Sequence, residues 1–176
     1  MKIIAKINSE QSHYKEISWY LSGIVLLFIC SQITIPLEPV PITLQTVGVM
    51  LIALTYTMKR GIIACLSYIF SGAIGVPVFA GFKSGITFGP TFGYLIGFVL
   101  CIYVMNLVKN RFTMDSFAKI SLNCILGTIC IFACGISWLS LTLGLKTAIA
   151  VGVIPFIIPG IIKVLVLAGI YRLIKN

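Results

Sequence analysis

Acidic side chains are nearly missing from this sequence. Only four of its 176 residues are Asp or Glu, against thirteen Lys and Arg, and charged residues make up 10% of the chain. A water-soluble domain of this length carries about a quarter. The four acids, Glu10, Glu16, Glu38 and Asp115, all lie outside the long apolar runs, so those runs hold no carboxylate for acid–base chemistry or proton coupling. The single histidine, His13, stands near the N-terminus, which excludes a histidine-based triad in the apolar region and most metal sites. No G-x-x-x-x-G-K-[ST] occurs, so the chain cannot itself hydrolyse ATP through a P-loop. The cysteines, Cys30, Cys65, Cys101, Cys124, Cys130 and Cys134, fall in apolar runs without C-x-x-C spacing and read as small packing residues. Binding and passage are expected; catalysis is not, and the chain is not read as an enzyme.

What fills the sequence instead is hydrocarbon: 59% of residues are hydrophobic and the mean hydropathy is +1.11. Apolar runs occur at 17–35, 41–57, 61–79, 86–108, 120–143 and 148–174, near the roughly 20 residues that cross about 30 Å of hydrocarbon. They predict an all-α, polytopic integral membrane protein, one domain over 1–176 with six transmembrane helices. Met58, Lys59 and Arg60 separate the second and third runs, because a Lys-Arg pair is too costly to leave in lipid and marks a turn. The mixed-charge N-terminus does not read as a cleaved signal, and continuous rather than alternating runs exclude a β-barrel.

Ten of the thirteen bases fall in the N-terminal segment, loops two and four, and the C-terminus, against Lys83 and Lys146 in loops three and five. This asymmetry places both termini in the cytoplasm. It also accounts for the formal charge of +9 without nucleic acid, since the bases form neither a stripe nor a cluster interleaved with aromatics. The lipid bilayer is the expected surrounding, in a multi-pass cell-membrane protein.

Three outward segments break the apolar pattern. Residues 31–46, SQITIPLEPVPITLQT, hold Pro36, Pro39 and Pro41, which lack donors and disfavour helix in the residue before each. They form either a proline-capped hairpin or irregular backbone lining a watered cavity. Residues 75–98, GVPVFAGFKSGITFGPTFGYLIGF, are dense in glycine, a composition that lets backbone approach a ligand closely, and this loop is the candidate lid. Residues 153–169, VIPFIIPGIIKVLVLAG, are interrupted at Pro155 and at Pro159-Gly160. Lys163 follows, well inside its run, where a charge costs roughly 2.5–3.5 kcal/mol. It either snorkels or is neutralised by an anionic ligand; Lys83 is a second cation or a solvated loop charge. Gln45 and Asn123 are polar groups in helices, read first as interhelical hydrogen bonders.

The stretches SQITIPLEPVPITLQT, GVPVFAGF and GPTFGYLIGF together resemble the BioY family over nearly the whole chain. The resemblance implies an S-component of an energy-coupling factor (ECF) transporter: a subunit that captures biotin from outside and works with a transmembrane coupling protein and two ATPase subunits. No cofactor is implied, biotin being cargo. The biotin carboxylate, valerate chain, thioether ring and ureido group call for an apolar pocket with a few placed polar groups and a cation. Phe79 and Tyr94 are expected to supply wall, the backbone of Gly81 and Gly85 and the hydroxyl of Thr91 hydrogen bonds, and Lys163 or Lys83 the charge, with Gln45 or Asn123 as compensating polar groups. The family's last helix usually carries Pro-Gly-Asp with a lysine three residues after the acid, and Gly160 stands here where the acid would be, which leaves open altered affinity, a related ligand, or a compensating polar group such as Gln45 or Asn123. The resemblance also implies docking of the coupling protein on small residues of helix one, here Ser18 and Ser22, with Gly23 beside them. Two alternatives stay open: an S-component for another small anionic vitamin, and a stand-alone secondary transporter.

Overall fold

The computed structural model describes residues 2–85 and 89–175, with side chains from Tyr14 onward; the His13 and Glu10 side chains lie outside the described residues. The first apolar run lies in α1 (Lys2–Gln32). Beyond it the prolines end the helix, and the chain turns back as a two-stranded antiparallel hairpin of β1 (Thr34–Ile35) and β2 (Ile42–Thr43), Thr34 opposite Thr43. The Glu38–Pro39 peptide in its tip is cis. Both readings of this segment hold, since the hairpin also lines a cavity.

The hairpin consumes the start of the second apolar run, so α2 (Gln45–Thr55) has only 11 residues, a rise of about 16 Å. The break before α3 (Met58–Ala73) falls at Tyr56–Thr57, just ahead of the basic pair, where the Thr57 hydroxyl accepts from Arg60 N–H and caps the new helix. α4 (Phe92–Arg111) begins two residues after Pro90; the expected start at 86 lies outside the described residues. Ser116 caps α5 (Phe117–Leu143) by accepting from Lys119 N–H, and Gly144, at φ 75°, turns the chain into α6 (Leu145–Gly152). A 3-10 turn, Ile154–Phe156, carries Pro155 and leads into α7 (Ile157–Lys175). The last run is thus broken at Pro155 but not at Pro159-Gly160: Pro159 sits in the first turn of α7, where its missing N–H costs no intrahelical bond.

Helices therefore dominate. Among the described residues three stretches are long and apolar enough to cross a membrane, Phe92–Arg111, Phe117–Leu143 and Leu145–Lys175, and α2 is a shorter apolar helix. Large aliphatic side chains such as Val25, Ile129, Ile158 and Leu165 are exposed, as befits a surface that meets lipid. The core is closed by glycine. A Cβ on Gly97 would stand 2.8 Å from Ile131 Cα, and one on Gly93 would stand 2.5 Å from the Cys134 carbonyl, so α4 and α5 approach almost backbone to backbone.

The end of the bundle bearing the α2–α3 turn is fastened by charge. Lys109 Nζ donates to the carbonyls of Ala53 at 2.7 Å and Tyr56 at 2.6 Å, satisfying acceptors that the end of α2 leaves orphaned. Arg60 pairs with Glu16 of α1 and lies 5.4 Å from the centroid of the Trp19 ring. That guanidinium, through its hydrogen bonds, holds the Glu16 carboxyl below the usual carboxylate range. Lys119 does the same for Asp115 in the α4–α5 loop.

Candidate functional site

At the other end of the bundle the hairpin, the glycine-rich loop, the starts of α2 and α4, and the 3-10 turn enclose a cavity of about 1070 Å³. Its walls are aromatic where the helices meet: Tyr94, Phe98, Phe132 and Phe156 line it, with Phe132 edge-on to both Tyr94 and Phe156. The place of the Tyr94 ring has a local cause. Gly135 leaves room for the Tyr94 ring, since a Cβ there would come within 2.4 Å of it, and the Tyr94 hydroxyl donates to the Gly152 carbonyl at 3.0 Å. Two cations, Lys163 and Lys83, and one acid, Glu38 of the hairpin, also line it.

Eight residues singled out in the sequence come together here: Lys163, Lys83, Gln45, Phe79, Gly81, Gly85, Thr91 and Tyr94 all line this one cavity. Among the described residues Lys163 pairs with no acid. Its Nζ donates to the Thr43 carbonyl at 2.6 Å, with Thr46 Oγ1 at 3.5 Å. Gln45 Nε2 donates to the Tyr68 hydroxyl at 2.9 Å. Phe79 packs edge-on to Tyr68 and over Gly72, and its N–H donates to the Lys83 carbonyl, closing a tight turn. Gly81 and Gly85 are both at positive φ, which explains the residue type, but the Gly85 N–H is spent on the Gly72 carbonyl at 2.7 Å and so is not offered to a ligand. The same bonds tie residues 79–85 into the rim of the cavity.

Asn123 does not reach the cavity. It is fully buried in α5, where Nδ2 donates to the Met105 carbonyl at 3.2 Å. It lies nine residues before Phe132, about 13 Å along the helix, and its amide makes an interhelical bond. Ser18 and Ser22 are exposed on α1. Ser18 Oγ is bonded within its own helix to the Tyr14 carbonyl, and Ser22 Oγ lies 2.8 Å from the Tyr56 hydroxyl.

Sequence reasoning did not pick out Thr34, Thr46, Phe132 or Phe156 as site residues. Thr34 lines the cavity with its hydroxyl buried and unbonded among the described residues. A recess of about 20 Å³ beside the cavity is lined by Thr46, Thr128, Gly160 and Lys163. It marks the space that Gly160 leaves, since a Cβ there would meet nothing within 4 Å. Phe156, Gly160 and Lys163 share one face of the chain at helical spacing, so the missing side chain would have pointed the same way as the lysine.

The BioY family profile matches residues 6–176. The chain belongs to the BioY family. It is 36% identical over 170 residues to a probable biotin transporter BioY of Rickettsia prowazekii (strain Madrid E), covering 96% of this chain and 87% of that protein. It is 39% identical over 154 residues to the biotin transporter BioY of Thermotoga maritima, covering 86% and 90%. The fold is similar to a crystal structure of the S-component for biotin from an ECF-type ABC transporter, with a TM-score of 0.78, 25% identity and coverage of 94% and 93%. BioY membership and the three apolar membrane-length helices make the chain a membrane protein. In this BioY chain the matched region takes in all the cavity-lining segments.

Proposed function

We propose that this BioY-family chain is the biotin-capturing S-component of an ECF-type transporter, not an enzyme. One observation carries the reading: two lysines and several polar groups converge on a single aromatic cavity of about 1070 Å³, the size and lining that an amphiphilic anion requires. Biotin has that chemistry. Its ring and valerate chain suit Tyr94, Phe98, Phe132 and Phe156. Its carboxylate suits Lys83, which stands exposed on the rim, because a carboxylate keeps part of its hydration there. Its ureido oxygen suits Lys163 Nζ, and its N–H groups suit acceptors such as Gln45 Oε1 and the Thr34 hydroxyl, which take over from the acid that Gly160 replaces.

Six crossings with both termini in the cytoplasm agree with the distribution of Lys and Arg, and put the cavity on the outer face. The whole chain acts as one membrane domain, without a cofactor. Uptake needs a coupling protein and two ATPase subunits, because the chain has neither a nucleotide motif nor an acid within its apolar runs. Ser18 and Ser22 are the docking face. Gly160, with its recess beside Lys163, is what favours the second reading, an S-component for a different small anionic vitamin. Calorimetric titration of the purified chain with biotin and with other anionic vitamins separates the two: saturable binding of biotin alone supports the first, and a flat biotin titration beside binding of another vitamin replaces it.

A further inference from the structure

We propose that Gln32 is a positioning residue for ligand capture: its side-chain amide clamps the turn 79–83 to the end of α1 and so presents Lys83 to the cavity. Gln32 is the last residue of α1. Its Nε2 donates to the Phe79 carbonyl at 3.1 Å and more distantly to that of Val78 at 3.4 Å, while its Oε1 accepts from Phe82 N–H at 3.1 Å. An amide is suited to this because it offers donors and an acceptor on one planar group. Among the described residues no other side chain hydrogen-bonds the backbone on both sides of Gly81.

The turn needs such a clamp. Phe82 is a non-glycine residue at φ 55°, a conformation that persists where the surroundings impose it. Gln32 Oε1 holds its N–H, and its ring lies edge-on to Phe28 of α1. At the base of the turn, the hydroxyls of Ser31 and Tyr68 both donate to the Val78 carbonyl at 2.8 Å. Lys83 comes next in the chain, its carbonyl accepting from Phe79 N–H at 3.0 Å. Its place at the cavity is therefore set by α1, not by the loop alone. The functional part of the inference rests on the reading above, in which Lys83 meets a ligand carboxylate.

The test uses biotin and biotinamide, its uncharged carboxamide, titrated into the purified full chain and into Gln32→Leu, Lys83→Ala and the double variant. Gln32→Leu is expected to weaken biotin at least fivefold, to leave biotinamide within twofold, and to add no further loss to Lys83→Ala. A second measurement needs no ligand: trypsin cleavage after Lys83 is expected to speed at least fivefold in Gln32→Leu, with cleavage after Arg60 unchanged. Equal losses for the two ligands, additive losses in the double variant, or an unchanged trypsin rate would overturn the proposal. If the parent chain binds neither ligand, the biotin reading fails and the trypsin rate alone decides on Gln32. Should Gln32→Leu not fold, Gln32→Met carries the same expectations, because it removes the acceptor for Phe82 and the donors to Val78 and Phe79 without adding charge.

Discussion

Lys163 Nζ donates to the main-chain carbonyl of Thr43 at 2.6 Å, joining the last helix to the end of the proline hairpin 120 residues away in sequence. A carbonyl is a neutral acceptor, so the bond orients the ammonium without cancelling its charge. Replacing this lysine should weaken binding by about 1.5 kcal/mol or more, the range for hydrogen bonds to charged groups. Titration of Lys163→Ala measures the loss; unchanged affinity would mean that the lysine serves the hairpin alone.

The helix contact behind the cavity gives a stability prediction. A methyl group on Gly97 would press on the Ile131 backbone, its Cα at 2.8 Å and carbonyl at 2.9 Å, which cannot rotate away. Gly97→Ala should cost about 1–3 kcal/mol by overpacking. Gly169→Ala meets nothing within 4 Å and should be neutral or gain up to about 1 kcal/mol from helix propensity. Thermal unfolding in detergent compares them, and equal midpoints would contradict the backbone-to-backbone packing of α4 and α5.

Glu16 makes stability depend on pH in a definite direction. Its folded pKa is depressed, chiefly by the hydrogen bonds from Arg60. Its contribution is therefore complete above the free-glutamate value, about 4.3, and is lost as pH falls through the lower folded value. Glu16→Gln should flatten that part of the acid limb while leaving the midpoint near pH 7 little lower, because the pair is part-exposed and screened by salt. A variant whose acid limb matches the parent's would remove the pair from the account.

Ser18 and Ser22 differ in a way that sharpens the docking prediction. Ser22 is tied to Tyr56 on the α2–α3 turn, whereas among the described residues Ser18 bonds only within α1. Ser18→Trp should therefore abolish uptake that depends on the coupling module while leaving biotin binding by the isolated chain within twofold; Ser22→Trp should do the same with some loss of stability. Parental uptake rates in both variants would put the docking face elsewhere.

Much of the site could be read from sequence because its signals are local. Proline and glycine mark irregular backbone wherever they fall, and a lysine inside hydrocarbon stands out without knowledge of its neighbours. Phe132 and Phe156 were invisible for the opposite reason. Each is one aromatic among many in an apolar run, and only packing decides that it faces the cavity. Asn123 reads first as an interhelical hydrogen bonder, and its bond to the Met105 carbonyl across the α4–α5 contact is of that kind. Helix positions were legible in outline. The short α2 was not, since hydropathy counts Ile42 and Thr43 as part of a span whereas strand pairing takes them into the hairpin. Gln32 stands in the quoted SQITIP stretch, but its two-sided bond to residues 79–82 depends on a loop nearly 50 positions away.

Equilibrium titration of the purified chain with biotin asks whether the cavity holding Lys163 and Lys83 captures biotin. Saturable one-site binding is expected, weakened by Lys163→Ala and competed by analogues that keep the ureido ring and carboxylate. No saturable binding of biotin by the folded parent chain, or binding that Lys163→Ala and Lys83→Ala together leave intact, would contradict it.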